Sequence, residues 1–158
     1  MSKTVMILSG IPGSGKSTFA NERKQGIRSA TFSADHYFLD GDGNYSFDLS
    51  KLGVAHATCM HNFLKALGSW ESGLLIVDNT NIHNWERMNY EHAARIKGWE
   101  VEQHFFVART VSDVKVCHSR NTHDVPIGIV LQMAAEHEIP ELAPRIFHYS
   151  ILTEALQG

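Results

Sequence analysis

The chain is organised around the stretch Ile7–Ala20, which reads ILSGIPGSGKSTFA. An apolar run that begins at Thr4 stops at Gly10, which is typical of a buried parallel strand. The residues from Ser17 to Arg23 then have the composition of a helix. Residues 10–17 match the pattern GxxxxGK[ST], here with the preceding strand and the following helix that this motif requires.

The chemistry of such a loop is phosphate binding. Its glycines allow the backbone to approach a ligand closely, and the free N–H groups at the helix start carry partial positive charge. Lys16 is positioned for the β- and γ-phosphates and the Ser17 hydroxyl for Mg²⁺. We therefore predict a nucleoside triphosphate, ATP or GTP, with Mg²⁺. The predicted nucleotide-binding residues of the loop are Gly10, Pro12, Gly13, Ser14, Gly15, Lys16, Ser17 and Thr18.

Strand and helix signals alternate along the rest of the chain. Further strands are predicted at 30–33, 74–77 and 100–107, and helices at 51–67, 84–97, 110–120, 126–136 and, in the tail, 140–156. The face of the third helix is predicted to carry Trp85, Met88, His92 and Ile96. This alternation indicates a parallel sheet with helices on both faces.

Length and composition limit the possible classes. With 158 residues the chain is predicted to be a single domain, 1–158, and its net charge of −3 argues against a general electrostatic clamp on nucleic acid. The two cysteines, Cys59 and Cys117, form no CxxC pair, which favours a reducing cytosol. The first apolar run is too short for a signal peptide or a membrane span.

Two carboxylates follow predicted strands. Asp35, in FSADHYF, is either a base that accepts the proton of an attacking hydroxyl or a surface residue that caps a turn. Asp78 ends the most apolar strand, LLIVD, which favours a magnesium carboxylate. The polar residues Asn79 and Asn81 that follow either contact the acceptor or form a strand-end turn.

A single arginine lies in the segment CHSRNTHDVP, between two predicted helices. A loop at this place can close over a nucleotide, and Arg120 can neutralise charge on a transferred phosphoryl group. The alternative is a solvated arginine near the end of a helix.

Together the segments GIPGSGKST, SADHYF, VDNTN, KGWEVE and RNTHDVP resemble the 5′-hydroxyl polynucleotide kinase family, which comprises a bacteriophage enzyme and its P-loop relatives. The resemblance covers about residues 5–133. It implies an α/β P-loop NTPase fold with a small helical lid over about residues 110–126. It also implies ATP and Mg²⁺ as cofactors and nucleic acid, DNA or RNA, as the substrate.

The resemblance gives each matching side chain a role. Lys16 and Ser17 would hold phosphates and Mg²⁺, Asp35 would be the general base toward the 5′-OH, and Asp78 would support the metal and the acceptor. Arg120 would be the lid arginine that touches the ATP phosphates.

One position departs from the family pattern. The bacteriophage enzyme has an arginine three residues after the base, where this chain has Phe38. Phe38, counted with Asn79 and Asn81 among the predicted substrate contacts, either stacks on a base of the acceptor or packs in the core.

We expect an ATP-dependent kinase acting on a hydroxyl of nucleic acid, foremost a 5′-OH end. The alternatives are a kinase for a hydroxymethyl group on a DNA base (hydroxymethyluracil), a kinase for a small alcohol, and a nucleotide-dependent switch without transfer. No membrane association is expected, and the expected location is cytoplasmic, or the host cytoplasm for a viral protein. The sequence does not choose between DNA and RNA as the acceptor or between ATP and GTP as the donor, and it does not give the oligomeric state.

Overall fold

Five parallel strands form the centre of the molecule in a computed structural model that describes residues 2–121 and 124–151. They are β1 (Lys3–Gly10), β2 (Ser29–Phe32), β3 (Gly73–Asp78), β4 (Glu100–Val107) and β5 (Ile146–Ser150). Their order across the sheet is β2-β3-β1-β4-β5, and each neighbouring pair is parallel. The predicted parallel sheet is confirmed.

The central strand β1 is apolar on both of its faces. Val5 and Ile7 pack into one hydrophobic cluster, whereas Met6 and Leu8 pack into another. Successive side chains of a strand point to opposite faces of the sheet. A strand that is apolar at consecutive positions is therefore buried between two layers, as expected of a parallel sheet.

Helices supply those two layers. They are α1 (Lys16–Lys24), α2 (Leu52–Ser69), α3 (Asn84–Ile96), α4 (Val111–Arg120) and α5 (Ile127–Glu136). Phe63 of α2 and Tyr90 of α3 join the cluster around Val5, while Ala20 of α1 joins the opposite one. In the part of the chain that the structure describes, no helix is long and apolar enough to cross a membrane.

The helices α4 and α5 begin where local signals predicted. The Thr110 hydroxyl accepts a hydrogen bond from the Asp113 N–H at 3.1 Å, and the Asp113 carboxylate accepts one from the Thr110 N–H at 3.2 Å. This reciprocal pair satisfies two donors at the start of α4. Pro126 directly precedes α5, where its missing N–H costs no helical hydrogen bond.

The predicted face of α3 is wrong. Trp85 is 66% exposed and Ile96 is 82% exposed, whereas Arg87, Tyr90 and Ala94 form the buried face. Two stripes of α3 have helical spacing, and periodicity alone does not choose between them. The buried stripe includes an arginine, so it did not count as apolar. Asn84 is the first helical residue of α3 rather than its cap, and His83 occupies the N-cap position.

The predicted helix in the tail is wrong as well. Residues 146–150 form β5, which pairs in parallel with β4 from Gln103↔Ile146 to Val107↔Ser150. Without β5, the outer edge of β4 would leave a row of backbone groups unpaired. The backbone hydrogen bonds between β4 and β5 thus outweigh the local helix signal. Residues 152–156 of that prediction lie outside the described residues.

The burial of α2 leads to a stability prediction. Phe63 is fully buried at the sheet, whereas its neighbour Leu64 is 46% exposed. We expect Phe63→Ala to lower the free energy of unfolding by about 3–5 kcal/mol, because it leaves a cavity in the core. Leu64→Ala should lower it by less than about 1 kcal/mol. Urea denaturation of both variants measures the difference, and equal losses would show that α2 presents a different face.

Candidate nucleotide and acceptor cleft

The loop between β1 and α1 holds two glycines in the left-handed region. Gly13 has φ 78° and Gly15, which precedes α1, has φ 101°. Residues with a side chain rarely adopt such angles. The loop therefore turns sharply enough for α1 to begin at Lys16, with its N-terminal N–H groups directed at the end of β1.

The loop also touches α4. A Cβ atom on Gly13 would lie 2.0 Å from the carbonyl oxygen of Cys117, which no real contact allows. A Cβ atom on Gly10 would lie 2.6 Å from the Ser14 hydroxyl oxygen. Glycine at these two positions is thus required by close packing, and Gly13 joins the loop to the helix that carries Arg120.

Lys16 is the charge at the centre of this loop. Its ammonium group donates hydrogen bonds to the carbonyl oxygens of Gly10 at 2.8 Å and Ile11 at 3.1 Å. Burial lowers the pKa of Lys16 below its ordinary value, and the charges of Asp78 and Asp35 partly oppose this shift. The environment of Lys16 therefore favours a nearby negative charge.

The two predicted metal ligands lie together. The Ser17 hydroxyl donates a hydrogen bond to a carboxylate oxygen of Asp78 at 3.3 Å. The parallel register of β1 and β3 pairs Leu8 with Asp78, which places this carboxylate beside the loop. A hydroxyl and a carboxylate are the oxygen ligands that Mg²⁺ takes in P-loop proteins.

Asp35 lies on a short 3-10 helix, Ala34–Phe38, directly after β2. The Ser33 hydroxyl accepts a hydrogen bond from the Asp35 N–H at 3.2 Å and so caps this helix. The Tyr45 hydroxyl donates to the Asp35 carboxylate at 3.3 Å. Burial, together with the charge and hydrogen bond of Asp35, raises the pKa of Tyr45 to about 12. Tyr45 therefore stays a neutral donor to Asp35.

Asn79 was predicted to contact substrate, but its side chain holds the protein together. It is 8% exposed, and its carbonyl oxygen accepts a hydrogen bond from the Ala34 N–H at 2.8 Å. Its amide nitrogen points at the sulfur of Cys59 at 3.7 Å. Asn79 thus ties the end of β3 to the 3-10 helix that carries Asp35. No local sequence signal indicates this tie.

Asn81, the other asparagine predicted to contact the acceptor, is buried and hydrogen-bonded to the end of β1. It is 1% exposed, has φ 47°, and donates from its side chain to the Leu8 carbonyl at 2.8 Å. Asparagine tolerates the left-handed region better than other residues with a side chain. The loop after β3 therefore uses Asn81 to turn back onto β1.

Phe38 is buried rather than available for stacking. It is 6% exposed and packs with Ala34 and Ala55. Its ring also contacts the rings of Tyr45 and Phe47, with centroids 6.1 Å and 5.1 Å away. Of the two interpretations of this residue, the structure supports packing in the core.

One cleft brings most of the predicted site residues together. It has a volume of about 1340 Å³ and is lined by Lys16, Ser17, Asp35, Asp78 and Arg120. These side chains come from the loop, from the ends of β2 and β3, and from the end of α4. The predicted residues Pro12, Gly13, Ser14, Gly15, Thr18 and Asn79 also line this cleft. Phe38 and Asn81 are buried elsewhere, and Gly10 forms the floor behind Ser14.

Several cleft residues carry no sequence motif. Tyr45, Phe47 and Leu49 come from the segment between the 3-10 helix and α2, and His56 comes from α2 itself. Tyr45 and Phe47 belong to residues 43–48, which read GNYSFD. Residues 122 and 123 of the predicted lid segment lie outside the described residues.

Comparison with known proteins identifies the family. A family model described as an AAA domain matches residues 5–140, most of the chain. The chain belongs to this family. Human NEDD4-binding protein 2 is 37% identical over 89 residues, a match that covers 54% of this chain. The chain spans only 5% of the length of that relative.

Solved structures share the fold of the AAA domain. A chain of the Pnkp1/Rnl/Hen1 RNA repair complex has a TM-score of 0.68 and 19% identity, and the match covers 85% of this protein and 44% of that chain. A gluconokinase from Sinorhizobium meliloti 1021 has a TM-score of 0.61 and 12% identity, covering 98% and 86%. At these identities the likeness shows the fold alone. The AAA domain thus has an α/β P-loop NTPase fold of the P-loop kinase-like type, as expected.

A buried polar network supports the AAA domain behind the loop. The Ser9 hydroxyl donates to the Asn81 carbonyl at 2.8 Å and lies 2.7 Å from Nε2 of His137. Arg87 donates to the Asn81 carbonyl at 2.5 Å and to the Glu138 carbonyl at 2.7 Å. The network joins the end of β1, the loop after β3, α3 and the segment after α5. Most buried polar groups require such partners.

The contact of Gly13 with α4 generates a prediction with a matched control. Gly13 and Gly26 both have positive φ, but a Cβ atom on Gly26 meets nothing within 4 Å. We expect Gly26→Ala to cost about 1–2 kcal/mol from backbone strain alone. Gly13→Ala should cost about 1–3 kcal/mol more, because the methyl group displaces α4. Urea denaturation measures both, and similar costs would mean that α4 does not pack on the loop.

The network also predicts a pH dependence. Burial, aided by the charges of Arg87 and Lys16, lowers the pKa of His137 from 6.5 to about 4. Between these values the unfolded chain binds a proton that the folded chain excludes, so stability falls as pH falls from 6.5 to 4. Allowing for partial exposure, we expect a loss of about 1–2 kcal/mol.

The control for this prediction is His137→Gln, which keeps a polar partner for Ser9 but does not titrate. Urea denaturation of both proteins at pH 7 and pH 4.5 separates His137 from other groups. The variant should lose about 1–2 kcal/mol less than the wild type. Parallel losses would assign the pH dependence to other residues.

Proposed function

We propose that this AAA domain transfers the γ-phosphoryl group of ATP to a hydroxyl group of nucleic acid, foremost a 5′-OH polynucleotide end. The observation that carries the proposal is the position of Asp35. This carboxylate lines the same cleft as Lys16, Ser17, Asp78 and Arg120, yet it follows β2, whereas Asp78 ends β3. A nucleotide switch needs one carboxylate near the metal, whereas transfer to an alcohol also needs a base.

The loop fits the phosphates of a nucleotide. Gly13 and Gly15 adopt the positive φ angles that the sharp turn requires, and Lys16 supplies a buried positive charge. The Ser14 hydroxyl is buried without a hydrogen-bond partner in the described structure. A phosphate oxygen would give the Ser14 hydroxyl the hydrogen-bond partner that its burial calls for, and would bring a negative charge to the Lys16 ammonium group.

Ser17 and Asp78 would hold Mg²⁺ with the nucleotide. When bound, the ion would neutralise charge on the β- and γ-phosphates. The oxygen atoms of Ser17 and Asp78 lie 3.3 Å apart, so one ion could contact both.

The reaction then divides between two sides of the cleft. Asp35 accepts the proton of the acceptor hydroxyl while a bond forms between that oxygen and the γ-phosphorus. The bond from the γ-phosphorus to the bridging oxygen breaks, and ADP leaves. Lys16 and Arg120 balance the negative charge that spreads over the transferred group. Tyr45, held neutral, orients Asp35 through its hydrogen bond.

Three observations support nucleic acid as the acceptor. The segments SADHYF, VDNTN and RNTHDVP resemble those of polynucleotide kinases. A chain of an RNA repair complex is among the structures that share the fold. The cleft volume of about 1340 Å³ exceeds the roughly 300–1,000 Å³ of a pocket for one small ligand, so it has room for a nucleotide and an acceptor.

The decisive variant is Asp35→Asn. We expect transfer of labelled γ-phosphate to a 5′-OH oligonucleotide to fall by about 10²–10⁴-fold, because the amide cannot accept the proton. ATP binding, measured by calorimetry, should stay within a few fold. Asp42→Asn is the matched control, since Asp42 is an exposed carboxylate outside the cleft. Full transfer by Asp35→Asn would contradict the assignment of the base.

The choice of acceptor is tested with a panel. It contains 5′-OH DNA and RNA oligonucleotides, a 5′-blocked duplex with hydroxymethyluracil, and small alcohols including gluconate. Label on the oligonucleotides supports the proposal. Label confined to the blocked duplex or to a small alcohol would move the activity to that acceptor, and ATP binding without any transfer would leave a nucleotide switch.

A further inference from the structure

An apolar wall borders the cleft beside Asp35. It consists of Leu39, Tyr45, Phe47, Leu49 and Leu52, all of which line the cleft. Leu49 is 72% exposed, Phe47 is 51% exposed and Leu39 is 44% exposed. Apolar side chains this exposed and this close together indicate a surface that a ligand covers.

We propose that this apolar wall binds the base of the acceptor's terminal nucleoside, so that the AAA domain recognises its acceptor through the base and not through phosphate charges. This rests on the proposed function, in which the acceptor is nucleic acid. It adds which part of the acceptor is recognised and which side chains recognise it.

The apolar wall is rigidly supported from behind. Phe38 packs under it, with the ring centroid of Phe47 5.1 Å away. Leu39 and Tyr45 form an antiparallel bridge, and the Asp40 carboxylate accepts hydrogen bonds from the Asp42 and Asn44 N–H groups at 2.8 Å and 2.9 Å. The turn between them is therefore held in place before any ligand binds, which lowers the entropy cost of binding.

The apolar wall is also joined to the proposed base. Tyr45 belongs to the wall and donates its hydroxyl hydrogen bond to Asp35. A hydroxyl group that reaches Asp35 therefore brings whatever is attached to it close to Tyr45, which is part of the apolar wall. For a 5′-OH end, the attached group is the terminal sugar and its base.

Charge argues against a clamp on acceptor phosphates. Among the described residues that line the cleft, the lysine and arginine residues are Lys16 and Arg120. Lys16 lies in the nucleotide loop and Arg120 at the end of α4, which packs on that loop. The side of the cleft with Asp35 instead offers His36 and His56. The position that is arginine in the bacteriophage enzyme is the buried Phe38.

A nucleobase fits this chemistry better than a polyol. A base has a flat apolar face, and stacking on an aromatic side chain changes Kd by about 5- to 150-fold. A polyol has hydroxyl groups that would face leucine and phenylalanine without hydrogen-bond partners. The combination of an apolar wall, a tyrosine and a carboxylate thus selects an alcohol that carries a base.

The test measures binding of a 5′-OH dinucleotide by calorimetry, without requiring transfer. We expect Phe47→Ala and Leu49→Ser each to weaken binding by about fivefold or more, and Phe47→Tyr to stay within threefold of the wild type. Ile96→Ala is the control, because Ile96 is 82% exposed on α3 and does not line the cleft. Leu49→Ser protects the test against local unfolding, because Leu49 is 72% exposed whereas Phe47 packs on the buried Phe38.

The salt dependence of binding supplies a second, independent readout, and it is measured with a 5′-OH hexanucleotide so that several phosphates are available to the protein. Neutralising Z phosphates on a single strand makes log K fall with log salt at a slope of about −0.7Z. Since the apolar wall carries no cation, we expect a slope near zero between 50 and 200 mM salt. A slope steeper than about −1.4, corresponding to two or more phosphates, would overturn the inference.

The outcomes separate this inference from the proposed kinase activity. Binding that depends on Phe47 and Leu49 but yields no labelled product supports the base site and refutes transfer. Transfer to an oligonucleotide whose binding ignores both substitutions overturns the base site and keeps the kinase. Absence of dinucleotide binding by the wild type, or preferential binding of gluconate, also overturns the base site.

Discussion

The parallel pairing of β1 with β3 is the constraint on which the rest of the cleft depends. Its register sets Leu8 opposite Asp78, so the loop after β1 and the Asp78 carboxylate, proposed to bind phosphates and Mg²⁺, lie at the same edge of the sheet. Parallel strands that are buried on both faces have little freedom to slip, because a shift of one residue would turn every side chain to the opposite layer. The apolar residues of β1 and β3 thus determine where the loop and Asp78 lie, although they take no part in the proposed reaction themselves.

The carboxylate on the other side of the cleft is positioned through the same pair of strands. Asn79 follows Asp78 and accepts the hydrogen bond of the Ala34 N–H, which orients the 3-10 helix that carries Asp35. The positions of the two carboxylates therefore depend on two adjacent residues at the end of β3, Asp78 itself and Asn79, although the carboxylates have different proposed roles. A site built in this way keeps its geometry without a bound ligand, as electrostatic catalysis requires.

The contact between the loop and α4 gives the cleft its third side. The Cys117 carbonyl lies so close to Gly13 that a single methyl group would not fit. The helix that ends at Arg120 is therefore seated on the loop that is proposed to hold the phosphates. Arg120 is therefore held near the proposed phosphate site, because the contact that positions the loop also positions α4.

Features set by neighbours along the chain could be predicted from the sequence. The glycine pattern before Lys16, the reciprocal cap of Thr110 and Asp113, and the apolar run of β1 each depend on residues within a few positions of one another. Asp35 and Asp78 could be singled out because polar residues that end parallel strands collect at one edge.

Burial depends instead on which distant surfaces meet, so the local sequence did not predict which side chains would be buried. Asn79 and Asn81 form hydrogen bonds inside the protein. Phe38 packs beneath the apolar wall. The buried face of α3 is the one that includes Arg87. The tail became β5 because the open edge of β4 needed hydrogen bonds, a requirement that arises only once four other strands are in place.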